Sequence, residues 1–267
     1  MAAEQAMPEL TPQDMSELRQ ARLLLENPGL AMKLTAMLGT SLEKGFALLP
    51  PGWSGTVAAL SRKALEAAAH SAILTMKAGE QKKAAANSLH RLMVAGTGAA
   101  GGFWGIPALA VELPLATTIM MRSIADIARS EGHLVTDPAI KVACIEVFAF
   151  GGPGKGDDGS ETGYFAVRAG LAQVVSDAAR HIAGKGLSKT APPVMVRLLT
   201  QVASRFGVQV SEKIAAQAVP VIGALGGAVI NTLFIDHFQA MARGHFILLR
   251  LEKKYGPEFI RAAYGRL

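Results

Sequence analysis

Two long, nearly uncharged segments constrain the fold more than any other feature of this sequence. Between Arg91 and Arg122 the only charged residue is Glu112, and the 22 residues between Lys213 and Asp236 carry no charge. Both segments are rich in alanine and glycine and contain proline. Apolar segments of this length are unfavourable in water, so they must pack inside the protein or against a membrane.

Each segment is long enough to cross a bilayer, for which about 20 apolar residues suffice. Glycines recur at a four-residue spacing, which lets helices approach closely in lipid and equally well in a water-soluble bundle. The spaced pairs are Gly98/Gly102, Gly101/Gly105 and Gly223/Gly227. Because Pro107, Glu112 and Pro114 interrupt the first segment, burial as core helices is the favoured interpretation. Contact with a membrane and true spanning remain as alternatives.

The remainder of the chain favours helices over sheets. Alanine is abundant, only 6% of the residues are aromatic, and β-branched residues never alternate as they do in strands. We therefore predict an all-α protein, a single multi-helix bundle whose central apolar helices are rich in glycine and alanine. Residues 94–130 and 214–250 would pack centrally. An N-terminal tail and its helices (1–50) would precede the main helical domain (51–267).

Local sequence signals predict several helix ends. Thr11 and Pro12 would begin the first helix, and Gly256-Pro257 would end the last long one. One helix would cover about 30–47, and another would run from Pro192-Pro193 to about Phe206. Cys144 would be a small core residue on an apolar helix face.

The charge and the cysteine content indicate which partners the protein contacts and in which compartment it lies. The formal net charge is +6, which attracts phosphate groups on nucleic acid or on an anionic membrane leaflet. A mean hydropathy of +0.29 and basic residues scattered along the chain favour the membrane over nucleic acid. Cys144 is the only cysteine, and residues 1–20 show no signal peptide. We expect a cytoplasmic protein at the periphery of the inner membrane.

Glu112 and Asn231 are the polar residues that stand out in the apolar segments. Glu112 predicts either a buried acid with a raised pKa, as at a ligand site, or a structural role. In the structural role, which is favoured, it caps the helix that resumes at about Leu115 or pairs with an arginine. Asn231 is expected to hydrogen-bond a neighbouring backbone group. Arg122, Asp126 and Arg129 form one polar stripe on the helix that follows.

Known catalytic and metal-binding motifs are not recognisable in the sequence. Asp177 and His181 lie one helical turn apart, but neither they nor Asp236 and His237 match a metal signature. Gly154-Lys155-Gly156, within the glycine-rich stretch 151–160, lacks the pattern of a phosphate-binding loop. We expect no cofactor and no metal. We also expect residues 151–160 to form an exposed loop that proteases cut near Lys155.

Three ordered stretches resemble the bacterial EcsC family. The first comprises Gly101-Gly102 through Pro107, Glu112-Leu113-Pro114, Arg122 to Ala128, and Asp137; the second is Tyr164 to Arg168; the third comprises Val219 to Ala224, Gly227, Asn231, Phe246, and Leu251-Glu252. Together they span roughly residues 50–256. The family is named for a gene that neighbours an ABC transporter, and no biochemical activity is established for it. The resemblance therefore implies a transporter as a candidate partner, but no catalytic residues.

These observations favour a non-enzymatic helical protein that binds anionic lipid or a membrane protein. The candidate contact residues are Glu112, Gly98, Gly102, Arg122, Gly223, Gly227 and Asn231. No nucleic acid partner is expected. Two alternatives remain: a hydrolase that uses Glu112 and a histidine as acid and base, and a pore-forming protein whose glycine-rich helices insert into a target membrane.

Overall fold

The computed structural model describes residues 9–26, 29–75, 84–101, 106–152, 163–185, 192–219 and 223–267. Within these ranges the chain forms eleven α-helices, one short 3-10 helix and no strand, which confirms the all-α prediction. The helices are α1 (Pro12–Leu25), α2 (Leu30–Leu38), α3 (Leu42–Ala47), α4 (Trp53–Thr75), α5 (Asn87–Gly101), α6 (Ile106–Ser130), α7 (Pro138–Glu146), α8 (Gly163–Lys185), α9 (Pro193–Ala218), α10 (Gly223–Tyr255) and α11 (Pro257–Gly265).

The first helix begins where the capping pattern predicts. Thr11 accepts a hydrogen bond from the backbone N–H of Asp14 at 3.1 Å, and Pro12 occupies the first turn. The carboxylate of Asp14 then accepts bonds from Lys254 Nζ at 2.7 Å and Tyr255 Oη at 2.6 Å. Together with a bond from the hydroxyl of Thr11, these bonds lower the pKa of Asp14 to about 2. The start of α1 is thereby joined to the end of α10.

The boundaries of three predicted helices were wrong. The stretch predicted as one helix over 30–47 is divided into α2 and α3, because Gly39 adopts a left-handed conformation with φ of 62°. The helix predicted to end at about Phe206 continues as α9 to Ala218. The helix predicted to resume at about Leu115 is α6, which already begins at Ile106 and contains Pro114.

The core is centred on α10, which is 33 residues long and packs against α1, α5, α6 and α9. Four phenylalanines, from the 3-10 helix, α9 and α10, have ring centroids 5.1–6.0 Å apart: Phe148, Phe206, Phe234 and Phe238. Cys144 is fully buried, and burial raises the pKa of its thiol to about 12. It is a small core residue, as predicted.

Two further predictions concern membrane-spanning helices and the exposed loop over residues 151–160. Within the described ranges, no helix combines the length and the apolar character that a membrane span requires. Most of the predicted exposed loop, including Lys155, lies outside the described residues.

Candidate functional site

Glu112 lies inside α6 and forms a buried ion pair with α9. Its Oε1 atom is 2.7 Å from Nζ of Lys213, and the Lys213 side chain has no solvent exposure. The ammonium of Lys213 also lies 5.2 Å from the centre of the Phe234 ring. In the part of the chain that the structure describes, Glu112 lies within a helix and its ion-pair partner is a lysine, so neither the predicted helix cap nor the predicted arginine partner is observed.

Asn231 connects this ion pair to α5. Its Nδ2 atom donates to Glu112 Oε1 at 3.0 Å, to the carbonyl oxygen of Val94 at 3.0 Å and to Thr97 Oγ1 at 3.2 Å. The predicted bond from Asn231 to a neighbouring backbone group is thus present. Side chains and backbone from α5, α6, α9 and α10 meet at one point, which we call the Glu112 network: Glu112, Lys213, Asn231, Val94 and Thr97.

The Glu112 network is next to an irregularity in α6. Pro114 has no backbone N–H, so the carbonyl of Ala110 cannot receive the usual helical hydrogen bond. The hydroxyl groups of Thr117 and Thr118 donate to the carbonyls of Leu113 and Pro114, one turn earlier in the helix, at 2.7 and 2.8 Å. Pro114, which interrupts the backbone hydrogen bonds of α6, therefore lies only two residues from the buried carboxylate of Glu112.

The electrostatics of the Glu112 network are those of a buried ion pair. Burial lowers the pKa of the Lys213 ammonium, and the charge of Glu112 opposes that change. No histidine is among the hydrogen-bond or ion-pair partners of Glu112 in the described part of the chain. The acid and base required by the hydrolase alternative are therefore not brought together here.

A second buried polar cluster joins α7, α8 and α10. Tyr164 Oη is 2.8 Å from Nδ1 of His245, and His245 Nε2 is 3.9 Å from a carboxylate oxygen of Glu146. Arg168 binds both carboxylate oxygens of Glu252, at 2.6 and 3.0 Å. Two stretches that carry the family resemblance, one ending at Arg168 and one at Glu252, thus meet in an ion pair.

Burial determines protonation in this cluster. It raises the pKa of Glu146 to about 7 and lowers that of His245 well below its ordinary value. Both side chains are therefore neutral at mildly acidic pH. Glu146 was not among the predicted site residues. It is the last residue of α7, and no pattern in the sequence distinguishes it as a buried carboxylate.

The other predicted residues are dispersed. Arg122 is exposed on α6, whereas Gly227 is buried one helical turn before Asn231 on α10. Gly98 and Gly223 lie in the backbones of α5 and α10, and Gly102 lies outside the described residues. The structure therefore brings together Glu112 and Asn231 but not the whole predicted set.

The carboxylates of the two candidate metal pairs bind other side chains. Asp177 binds Gln173 and Arg180 on its own helix, and Asp236 pairs with Arg91 at 2.7 Å. No group of three or more His, Cys, Asp and Glu side chains in the described ranges could hold a metal ion.

An exposed apolar surface lies on α5 and α6. These helices pack antiparallel, because Ala86 contacts Asp126 while Val94 and Glu112 share Asn231. Five large apolar side chains on the two helices are exposed, and we call them the α5–α6 apolar surface: Leu89, Leu92, Met93, Val111 and Leu115.

The sequence spacing of these residues gives each helix one exposed apolar stripe. Leu89, Leu92 and Met93 follow the i, i+3, i+4 spacing of one helix face, and Val111 and Leu115 follow i, i+4. Leu92 is 72% exposed and Val111 is 75% exposed. Arg122, also exposed, continues the face of α6 two turns beyond Leu115.

Comparison with known proteins identifies the family of the chain. The model of the EcsC protein family matches residues 2–251 of the chain. No curated protein and no solved structure matches it.

Proposed function

The chain belongs to the EcsC protein family, and we propose that it is a non-enzymatic helical protein of the cytoplasmic face of a membrane. There it binds anionic lipid directly or an integral membrane partner such as an ABC transporter. One observation carries the proposal: the α5–α6 apolar surface exposes five large side chains on two adjacent helices.

Several exposed apolar side chains on two helices that pack together support a contact surface. Single exposed leucines are common on soluble proteins, but an apolar surface on adjacent helices is typical of sites that contact proteins or membranes. Each large apolar side chain removed from water contributes about 1.5–3 kcal/mol, so several together give measurable binding.

The charge of the chain favours an anionic surface. The formal net charge is +6, and each basic residue near an anionic leaflet contributes about 1 kcal/mol. Arg122 is exposed on the same helix face as Val111 and Leu115. It is therefore placed to reach lipid phosphates when the apolar side chains contact the bilayer.

Fractionation of cells tests the proposal. We expect the protein to sediment with membranes and to be released fully by carbonate. High salt should release it in part, because raising the salt to about 1 M shortens the screening length of exposed charges from about 8 Å to about 3 Å. Resistance to carbonate would indicate insertion and favour the pore-forming alternative. Recovery entirely in the soluble fraction would contradict the proposal.

Protein-free vesicles separate the two classes of partner. Binding to vesicles of anionic lipid alone would identify lipid as the ligand. Binding to cell membranes but not to these vesicles would identify an integral membrane protein instead. Release of an entrapped dye would again favour a pore.

A further inference from the structure

A groove distinct from the Glu112 network and from the α5–α6 apolar surface lies between α2, α3, α4 and α9. It has a volume of about 490 Å³ and is open to solvent. Phe46 of α3 and Trp53 of α4 form part of its wall, with ring centroids 5.6 Å apart and ring planes inclined by 27°. The groove therefore offers aromatic surface to a ligand.

Two carboxylates also line the groove. Glu43 is exposed at the first turn of α3, whereas Glu212 of α9 is only 7% exposed. The backbone N–H of Ala31 donates a hydrogen bond to Glu212. No lysine, arginine or histidine lines the groove, and no cationic side chain pairs with Glu212 in the part of the chain that the structure describes.

The groove is thus a locally acidic site on a basic protein of formal net charge +6. The residues that line the groove indicate which kind of ligand it would bind. Aromatic faces attract cations through their quadrupole, and carboxylates attract them by charge. A small metal ion would require several oxygen ligands at short distances, whereas apolar walls such as Leu42 and Val208 suit the alkyl groups of an organic cation.

We propose that this groove binds an organic ammonium ion, held against Phe46 and Trp53 and neutralised by Glu212 and Glu43. Burial raises the pKa of Glu212 to about 7, as expected of a carboxylate that has no counter-charge beside it. A bound cation supplies that charge. The site does not depend on membrane association, so it can be tested without membranes.

Calorimetric titration with choline is the direct test. Choline serves as the probe, and 3,3-dimethylbutan-1-ol, its uncharged analogue of similar shape, serves as the matched ligand. We expect choline to bind with one-to-one stoichiometry and the alcohol to bind at least about tenfold more weakly, because it lacks the charge. Equal binding of the two ligands, or no binding of choline, would overturn the proposal.

Four variants test whether the binding takes place in the groove. Glu212→Gln keeps an oxygen that can accept from Ala31 and should weaken choline binding about tenfold, as expected for loss of one charged contact. Glu66→Gln removes a carboxylate remote from the groove on α4 and should leave binding unchanged. Trp53→Leu should weaken binding and Trp53→Phe should largely restore it. Equal effects of Glu212→Gln and Glu66→Gln would overturn the assignment.

Proton release provides a readout that does not depend on affinity alone. A cation beside Glu212 favours its ionised form and so lowers its pKa. Choline binding at pH 7 should therefore release a fraction of a proton, measured as the dependence of binding heat on the buffer, and affinity should rise from pH 6 to pH 8. Both effects should be absent in Glu212→Gln. Their persistence there would contradict the role of Glu212.

The source of the cation is distinguished by competition. If the ligand is a lipid headgroup, binding to vesicles of phosphatidylcholine should be inhibited by choline and lost in Glu212→Gln. If the ligand is a soluble cation, choline should bind without any effect of these vesicles. Either result supports the groove as an ammonium site, whereas failure of choline to bind overturns it and leaves the proposed membrane function untouched.

Discussion

Lys213 of α9 and Glu112 of α6 form a fully buried ion pair, with 2.7 Å between Nζ and Oε1. The two residues are 101 positions apart in the sequence. Asn231 of α10 donates to the same carboxylate oxygen and also reaches α5. Four helices are therefore fixed relative to one another at a point where each contributes polar atoms to an otherwise apolar core.

Breaking the ion pair should strongly destabilise the protein. Glu112→Gln leaves the ammonium of Lys213 buried without a counter-charge, and losses of about 3–5 kcal/mol are typical of such changes. We expect the free energy of unfolding, measured by urea denaturation, to fall by that amount. Glu66→Gln, which affects a half-exposed ion pair with Arg62 at 3.8 Å, should change it by less than about 1 kcal/mol.

A double variant tests whether the two charges act as a pair. Combining Glu112→Gln with Lys213→Met removes both charges, so the loss should be smaller than the sum of the two single losses. Additive losses would show that Glu112 and Lys213 act independently. If Glu112→Gln instead abolished an enzymatic activity without loss of stability, the hydrolase alternative would be favoured.

Stability should depend on pH through Glu146. Its folded-state pKa is raised from 4.5 to about 7 by burial, so the folded protein binds a proton more tightly than the unfolded chain. The resulting stability is present below pH 4.5 and is lost as the pH rises through 7. Between pH 5.5 and 8, this group should lower the free energy of unfolding by about 2 kcal/mol.

The variant Glu146→Gln isolates this contribution. It removes the titrating group but keeps a polar side chain of similar size beside His245. Urea denaturation at several pH values should give a shallower decrease for the variant than for the original protein. An identical pH dependence of the two proteins would show that Glu146 is not protonated in the folded state.

Gly45 should tolerate no side chain. A Cβ atom there would lie 2.0 Å from the carbonyl oxygen of Ala215, because α3 and α9 are in backbone contact at this point. Gly45→Ala should therefore destabilise the protein by about 3 kcal/mol, as overpacking does. Gly170→Ala places a methyl group in open space on α8 and should stabilise it by up to about 1 kcal/mol. Thermal denaturation measures both changes.

The sequence predicts some features of this fold and not others. The cap at Thr11 and the glycine–proline break after Tyr255 depend on local residues, so both could be predicted. The burial of Glu112 also follows from its apolar neighbours. The continuation of α6 through Pro114 could not be predicted, because tertiary packing overrides the local preference of proline to end a helix.

Lys213, the ion-pair partner of Glu112, was not predicted from the sequence. A lysine at the edge of an apolar segment ordinarily lies at the surface. The available signal was the periodicity of α9, where Lys213 follows the buried Phe206 by seven residues and so lies on the same face. The predicted helix ended at Phe206, so Lys213 lay outside it. Identifying the partner of Glu112 required the arrangement of four helices.

Vesicle sedimentation with matched variants is the most direct test of whether the α5–α6 apolar surface binds membranes. Leu92→Ser and Leu115→Ser change two exposed residues of that surface. Leu23→Ser and Met32→Ser change exposed apolar residues on α1 and α2 and serve as controls. All four positions are exposed, so none of the substitutions should greatly affect stability.

We predict that the protein sediments with anionic vesicles, less with neutral ones, and less at high salt. Leu92→Ser and Leu115→Ser together should reduce the bound fraction at least about tenfold, the effect of losing roughly 1.4 kcal/mol or more of apolar burial. Leu23→Ser and Met32→Ser together should bind like the original protein. Membrane binding would be contradicted if the protein bound no vesicles of any composition and also remained in the soluble fraction of cells. The role of the α5–α6 apolar surface would be contradicted if both pairs of substitutions had the same effect.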